Sequence, residues 1–358
     1  MVRIVKKFLL TSLKFAMFAK NNFDAYKLRN FTSAILDVKE CSPSLGQNNF
    51  AIFVYYEPDG KLSKSARNIL SSLQKQSIDT LLISNHYLSD EQYNDISGLV
   101  HKVIIRSNRG FDFGAYKDAV SYLIKNELVP KKLLFLNDSV YFFSKGLENF
   151  VQSLLGPEDI VCSFENCDVD HAYHIQSFAL GVSENVFLSN SFRNFWTRYR
   201  PVSNRLHAIE NGEKLLSVAL LKSARTMNVI DAIERIVSLR DDLVPDDFKK
   251  FIVMPIDRSL LKNPNDEFLD MSQIKYRIFS NIRNPIHDGT YYFSRIGCPI
   301  VKKDIVFRNR YKFWEVSEIF RDVYDKEELD EFFLMLRKKG TIKGSPFFTR
   351  LLWMIGAR

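Results

Sequence analysis

Two neighbouring stretches of the chain hold side chains that could do chemistry together. In NRGFDFGAYKD, Asn108, Arg109 and Gly110 precede Asp112 and Lys117; in LLFLNDSVYF, Asn137 precedes Asp138. Val103, Ile104 and Ile105 form a short apolar, β-branched run that reads as a buried strand. It ends in a turn where Gly110 can take backbone angles that other residues resist. Ala115, Ala119, Val120 and Leu123 recur at helical spacing, and residues 131–136 read as a second buried strand that stops at Asn137-Asp138-Ser139. Both polar loops therefore lie at carboxyl ends of strands, where open α/β sheets bind ligands. One pocket can then receive Asp112, Lys117 and Asp138. Each has a plainer role open to it: Asp112 as a helix cap, Lys117 as a solvated surface lysine, Asp138 as a turn residue.

Together, NRGFDFGAYKDAV and LLFLNDSVYF resemble the signature of the rhamnan synthesis F family, bacterial glycosyltransferases of cell-surface polysaccharide assembly with a GT-A-like fold. The resemblance runs from about residue 50 to residue 304. It implies inverting transfer of a sugar from dTDP-L-rhamnose, or from another nucleotide sugar, onto a glycan or a lipid-linked saccharide. On that reading Tyr55 or Tyr56 stacks on the base and Asn85 hydrogen-bonds to it, the alternatives being strand packing and a turn. Asn108, Arg109, Gly110, Asp112, Lys117, Asn137 and Asp138 would surround the donor, with Gly114 allowing close backbone approach. Asp138 would hold Mg²⁺ or Mn²⁺, hard cations that prefer oxygen ligands. GT-A enzymes usually carry Asp-any-Asp at this point, whereas here one carboxylate stands between Asn137 and Ser139, so Lys117 or Arg109 is the alternative carrier of positive charge.

Further landmarks of the same family follow. His174-Ile175-Gln176-Ser177 implies acceptor contacts from His174 and Gln176. SFRNFWTRY offers Trp196 as a sugar platform or as core. Glu213 matches I-x-x-G-E from Ile209 and is the expected general base, with Asp168 and Asp170 in reserve. Glu210 and Glu213 share a face if one helix runs through both. His171 and His174 beside these acids lack a recognised zinc spacing. The stretch from Gly297 to Asp304 resembles a G-x-P-x-x-K landmark, in which Lys302 or Lys303 meets phosphate.

The elements that position these residues alternate. Residues 50–56 and 79–84 read as strands. Between them lies a helix with Ala66, Ile69, Leu70 and Leu73 on one face and Ser63 as cap. Ser89 and Gln92 form a capping box. Alternation predicts an α/β fold, a Rossmann-like, mostly parallel sheet flanked by helices, with helical N- and C-terminal additions. The divisions expected are 1–48, a basic amphipathic segment and linker; 49–225, the catalytic domain; and 226–358, a mainly helical region.

Charge and composition narrow the partners. The 358 residues carry a net charge of +8. Five basic residues and no acid fall in residues 1–20, with Arg3, Lys6, Lys7 and Lys14 opposite Ile4, Val5, Phe8, Phe15 and Ala16. That is a membrane-surface helix or a docked one, and the aromatic, basic residues 345–358 repeat the mixture. Excess base at the ends, without a helix-turn-helix, RNP or zinc pattern, argues against nucleic acid. Four scattered cysteines suit reduced thiols. With no apolar run of ~18–20 residues and no secretory cleavage pattern, the expected place is the cytoplasm, free or at the inner face of the plasma membrane.

Overall fold

A computed structural model describes residues 2–42, 44–46, 48–56, 62–166, 173–235, 284–342 and 352. Its strands are β1 (Ile35–Glu40), β2 (Asn49–Tyr55), β3 (Asp79–Ser84), β4 (Lys102–Arg106), β5 (Lys132–Asn137), β6 (Val140–Phe142), β7 (Ile160–Cys162), β8 (Glu165–Asn166), β9 (His174–Ile175), β10 (Ala179–Ser183), β11 (Met227–Val229) and β12 (Ile300–Lys302). Eight of them form one sheet in the order β1-β4-β3-β2-β5-β10-β7-β11. All but β1 and β10 point the same way, so the sheet is mostly parallel, as expected.

The helices are α1 (Val2–Lys27), α2 (Lys64–Lys75), α3 (Asp90–Ile96), α4 (Phe111–Lys125), α5 (Leu147–Leu154), α6 (Glu184–Leu188), α7 (Asn190–Arg198), α8 (Arg205–His207), α9 (Lys214–Leu221), α10 (Pro285–Asp288), α11 (Thr290–Arg295), α12 (Phe313–Phe320) and α13 (Lys326–Lys339). A π-helical turn, Ala208–Glu213, joins α8 to α9.

Strand β2 shows why the sheet is covered on both sides. Ala51, Phe53 and Tyr55 enter one core, where Ile69, Leu70 and Leu73 of α2 lie. Phe50, Ile52 and Val54 enter the other, against Ala115, Ala119 and Leu123 of α4 and Phe192 and Trp196 of α7. Burial on both faces is what turns a strand into an unbroken apolar run. The Ser63 cap accepts from the Ala66 amide, and the Ser89–Gln92 capping box forms.

The terminal segments join this body. Strand β1 lies antiparallel to β4 at the sheet edge, so residues 1–48 are more than helix and linker. Strand β12 pairs with β6. Helix α13 reaches α2 through Glu331, which accepts from the Lys64 amide at 3.0 Å and the Tyr141 hydroxyl at 3.0 Å. Among the described residues no helix is long and apolar enough to cross a membrane. Most of residues 345–358, and Cys167, lie outside the described residues; Cys41, Cys162 and Cys298 are free thiols.

Candidate functional site

Strands β2 and β5 are neighbours, and the chain leaves β2 for β3 on one side while β5 begins the other. Their carboxyl ends therefore flank a topological switch point. There the Asp138 amide donates to the Val54 carbonyl at 3.1 Å, and Asp138 Oδ2 accepts from the Tyr56 amide at 3.0 Å. Asn137 is locked: its Oδ1 accepts from the Ser139 amide and hydroxyl, and its Nδ2 donates to the Tyr116 hydroxyl at 3.1 Å.

The turn before α4 is held from beneath. Arg106 Nε donates to Asp118 at 2.7 Å in a fully buried pair. The other guanidinium nitrogens donate to Asn85 Oδ1 and the Arg109 carbonyl, both at 2.6 Å. Gly110 takes φ +75°, and a Cβ there would lie 2.4 Å from Pro201 Cβ. Phe111 also has positive φ, 51°, an uncommon conformation for a non-glycine residue. The result sets Asp112 in the first turn of α4, at the positive end of the helix dipole.

A pocket of about 330 Å³ opens at these two loops. Its wall includes the carboxylates Asp112, Glu213 and Asp304 and the cations Arg205, Lys302, Arg308 and Lys339. Glu213 arrives on the π-turn, a feature common at functional sites. Gly212 lies so close to the Phe113 ring that a Cβ would sit 2.8 Å from it. Glu213 Oε1 accepts from the Ser177 amide and hydroxyl, each at 3.1 Å, and Oε2 lies 3.7 Å from His174 Nε2. Glu210 instead pairs with Lys214 at 2.9 Å. The wider π-turn separates two acids that one α-helix would align.

The charges act on one another. Burial, then repulsion from Asp138 and Glu213, lifts Asp112 to about 7 against the pull of Lys302 and Arg106. Burial lowers Lys302 to about 8, opposed by Asp304 and Glu213, and lowers Arg205 to about 10. Burial would raise Asp304, but His287 at 3.0 Å, Arg308 and Lys302 together hold it well below the usual carboxylate range.

The structure thus brings Asp112, Asn137, Ser139, Ser177, Glu213 and Lys302 to one cavity, with Asp138 the strongest charged influence on Asp112. Several expected residues go elsewhere. Because α4 starts at Phe111, Lys117 falls in its second turn, where its ammonium donates to the Trp196 and Thr197 carbonyls. It satisfies the orphan carbonyls at the end of α7 and does not reach the pocket. Arg109 lies over the Phe31 ring at 5.2 Å, and Asn108 is exposed. Gly114 does allow a close approach, but of the chain's own Arg109 carbonyl. Tyr55 is buried beside Phe53 and His86 and cannot stack on a base, whereas Tyr56 is exposed and edge-on to His86. Asn85 is held by Arg106. Trp196 is no sugar platform: it is 1% exposed and stacked on Phe135 at 5.8 Å. His174 and Gln176 are buried side by side behind Glu213. Asp168, Asp170 and His171 lie outside the described residues.

At Asp138 the expected divalent cation would find a single carboxylate. One of its oxygens accepts from Tyr56, Asn137 is turned to Ser139 and Tyr116, and the Lys302 ammonium donates to the Ser139 hydroxyl at 2.9 Å. Mg²⁺ is usually held by one or two carboxylates together with waters and substrate phosphates, so Asp138 would be its protein ligand and the diphosphate would supply the rest. Among the described residues no three His, Cys, Asp or Glu side chains gather to hold a metal.

Strand order and pocket position define an α/β protein with a charged ligand site at the switch point of its sheet. Residues 80–234 match the model of the family described as rhamnan synthesis protein F. That bears out the resemblance over a shorter span than 50–304. "Uncharacterized protein y4gN" of Sinorhizobium fredii is 29% identical over 182 residues, covering 50% of this chain and 46% of its own. The chain thus spans about half the length of the curated relative it matches. Two solved structures are also similar. Mannosyltransferase PcManGT from Pyrobaculum calidifontis, in complex with GDP-Man and Mn²⁺, has 9% identity and a TM-score of 0.30 over 98% of this chain and 89% of its own. Glucosyl-3-phosphoglycerate synthase from Mycobacterium tuberculosis has 12% identity and a TM-score of 0.28 over 50% of this chain and 80% of its own. Likeness at this level adds nothing to the architecture described above.

Proposed function

We propose that this protein is a GT-A-like glycosyltransferase that moves a sugar from a nucleoside diphosphate onto a glycan or lipid-linked acceptor in cell-surface polysaccharide synthesis. One observation carries the reading: Asp112, Glu213, Lys302, Arg205 and Arg308 face a single cavity at the carboxyl end of β5. Sugar transfer requires a neutralised leaving diphosphate, a deprotonated acceptor hydroxyl, and both held in line. The cations serve the first need. Glu213, oriented by Ser177, serves the second as general base. Asp112, at the amino end of α4, binds sugar or ribose hydroxyls. The rhamnan synthesis match favours dTDP-L-rhamnose as donor, and transfer from its β-linkage to an α-rhamnoside inverts the anomeric centre.

The test offers purified protein dTDP-L-rhamnose and other nucleotide sugars and follows hydrolysis or transfer. Turnover is expected with at least one, and Glu213→Gln should lower kcat by about 10²–10⁴-fold, the usual worth of a general base. Absence of turnover with every donor would overturn the assignment, and saturable binding without transfer would point to a non-catalytic homologue.

A cytoplasmic membrane face is the workplace this reading favours. Phe15, Phe23 and Tyr26 of α1 are exposed, beside Lys14, Lys20 and Lys27. Anionic lipid adds about 1 kcal/mol of attraction per nearby Lys or Arg. Flotation with phosphatidylserine vesicles should recover the protein at low salt; flotation that needs no anionic lipid would remove the electrostatic part.

A further inference from the structure

We propose that Lys302 supplies the positive charge that a divalent cation gives in enzymes with two acids at this point, so that the leaving diphosphate is neutralised by the chain itself. The inference deepens the transferase reading and rests on it. Strand β12 pairs antiparallel with β6, setting Lys302 opposite Val140, and the next residue, Lys303, donates its amide to the Ser139 carbonyl at 3.2 Å. This register lays the Lys302 ammonium against the loop after β5, where its hydrogen bond goes to the neutral Ser139 hydroxyl and the Phe178 ring lies 4.0 Å away. Arg308, by contrast, pairs with Asp304. The carboxylates of Asp304, Glu213 and Asp112 act on this half-buried ammonium from the same pocket, but its hydrogen bond goes to a neutral hydroxyl, and a charged donor so placed can turn to an incoming anion.

The chemistry balances without another reactant. The acceptor hydroxyl oxygen forms the new bond to the anomeric carbon and loses its proton to Glu213. The bond from that carbon to the diphosphate oxygen breaks, its electron pair stays on the oxygen, and Lys302 remains protonated beside it.

The experiment measures binding of dTDP, UDP and GDP by calorimetry to the whole chain and to Lys302→Met, in EDTA and in MnCl₂. Methionine keeps the stem on Phe178 and removes the charge together with its hydrogen bond to Ser139; a melting temperature at or above the parent's shows that the variant folds. The expected result is binding of at least one nucleotide in EDTA, weakened tenfold or more in Lys302→Met and not restored by Mn²⁺. Binding that requires Mn²⁺ and is equal in both proteins overturns the role of Lys302 while leaving the transferase reading intact. If none of the three binds under either condition, both fall.

Discussion

At the scale of single residues, the site keeps like charges close together. Asp112 is lifted to about 7 by burial and by Asp138 and Glu213, above its unfolded value near 4. The folded state then binds its proton more tightly than the unfolded state, so this group costs stability as pH rises from about 4 to 7, fully above that window and not at all below it. Asp112→Asn abolishes the ionisation. Its melting temperature should exceed the parent's at pH 8, and the gain should vanish toward pH 4. A gain independent of pH would show that Asp112 does not titrate in this way.

At the scale of elements, two devices hold the loops in place. The Arg106–Asp118 pair ties the end of β4 to α4, and Asp118 also accepts from the Ala34 amide at 3.2 Å, just before β1. Asp118→Ala leaves a buried guanidinium uncompensated and should cost about 3–5 kcal/mol in urea unfolding, while the double change Arg106→Met/Asp118→Leu recovers most of it. A loss below 1 kcal/mol in the single variant would mean that water reaches Arg106. The second device is Gly212. An added methyl meets the Phe113 ring, and relieving such a clash costs about 1–3 kcal/mol. Because the π-turn shifts with it, Gly212→Ala should lower nucleotide-sugar turnover by more than its stability loss explains, in enzyme that is still folded at the assay temperature.

Some of these devices were visible in the chain and some were not. The strands, the Gly110 turn and the caps at Ser63 and Ser89 are local, and local patterns give them away. The meeting of Asp112 with the loop after β5 followed from strand alternation and the switch-point rule. The places of Lys117 and Trp196 are not legible because exposure is not written in residue type: a lysine capping α7 and a tryptophan stacked in the core look, in sequence, no different from a phosphate ligand and a sugar platform. The π-turn carries no periodic mark, so the spacing of Glu210 and Glu213 reads as one helical face.

At the scale of the whole molecule, the pocket draws on segments far apart in the chain, and this bears on where the protein can be cut. Arg205 comes from α8, Lys302 from β12 and Lys339 from the end of α13. The apolar core running under β2 continues into α12 and α13, where Phe143 stacks on Tyr324 at 3.7 Å and 9°. Glu328 of α13 accepts from the Ser144 amide at 3.0 Å. A boundary at residue 225 would therefore remove the α12–α13 part of the cover on that face and leave Tyr141 and Phe143, which pack on Phe320, Tyr324 and Phe332, against water. Each such exposure costs on the order of 1.5–3 kcal/mol, against a total stability of about 5–15 kcal/mol. A fragment of residues 49–225 should show no cooperative urea transition by circular dichroism, whereas the full chain should unfold with coincident far-ultraviolet and tryptophan signals. A sharp transition in the fragment would instead make residues 226–358 a separate unit laid over a self-sufficient sheet.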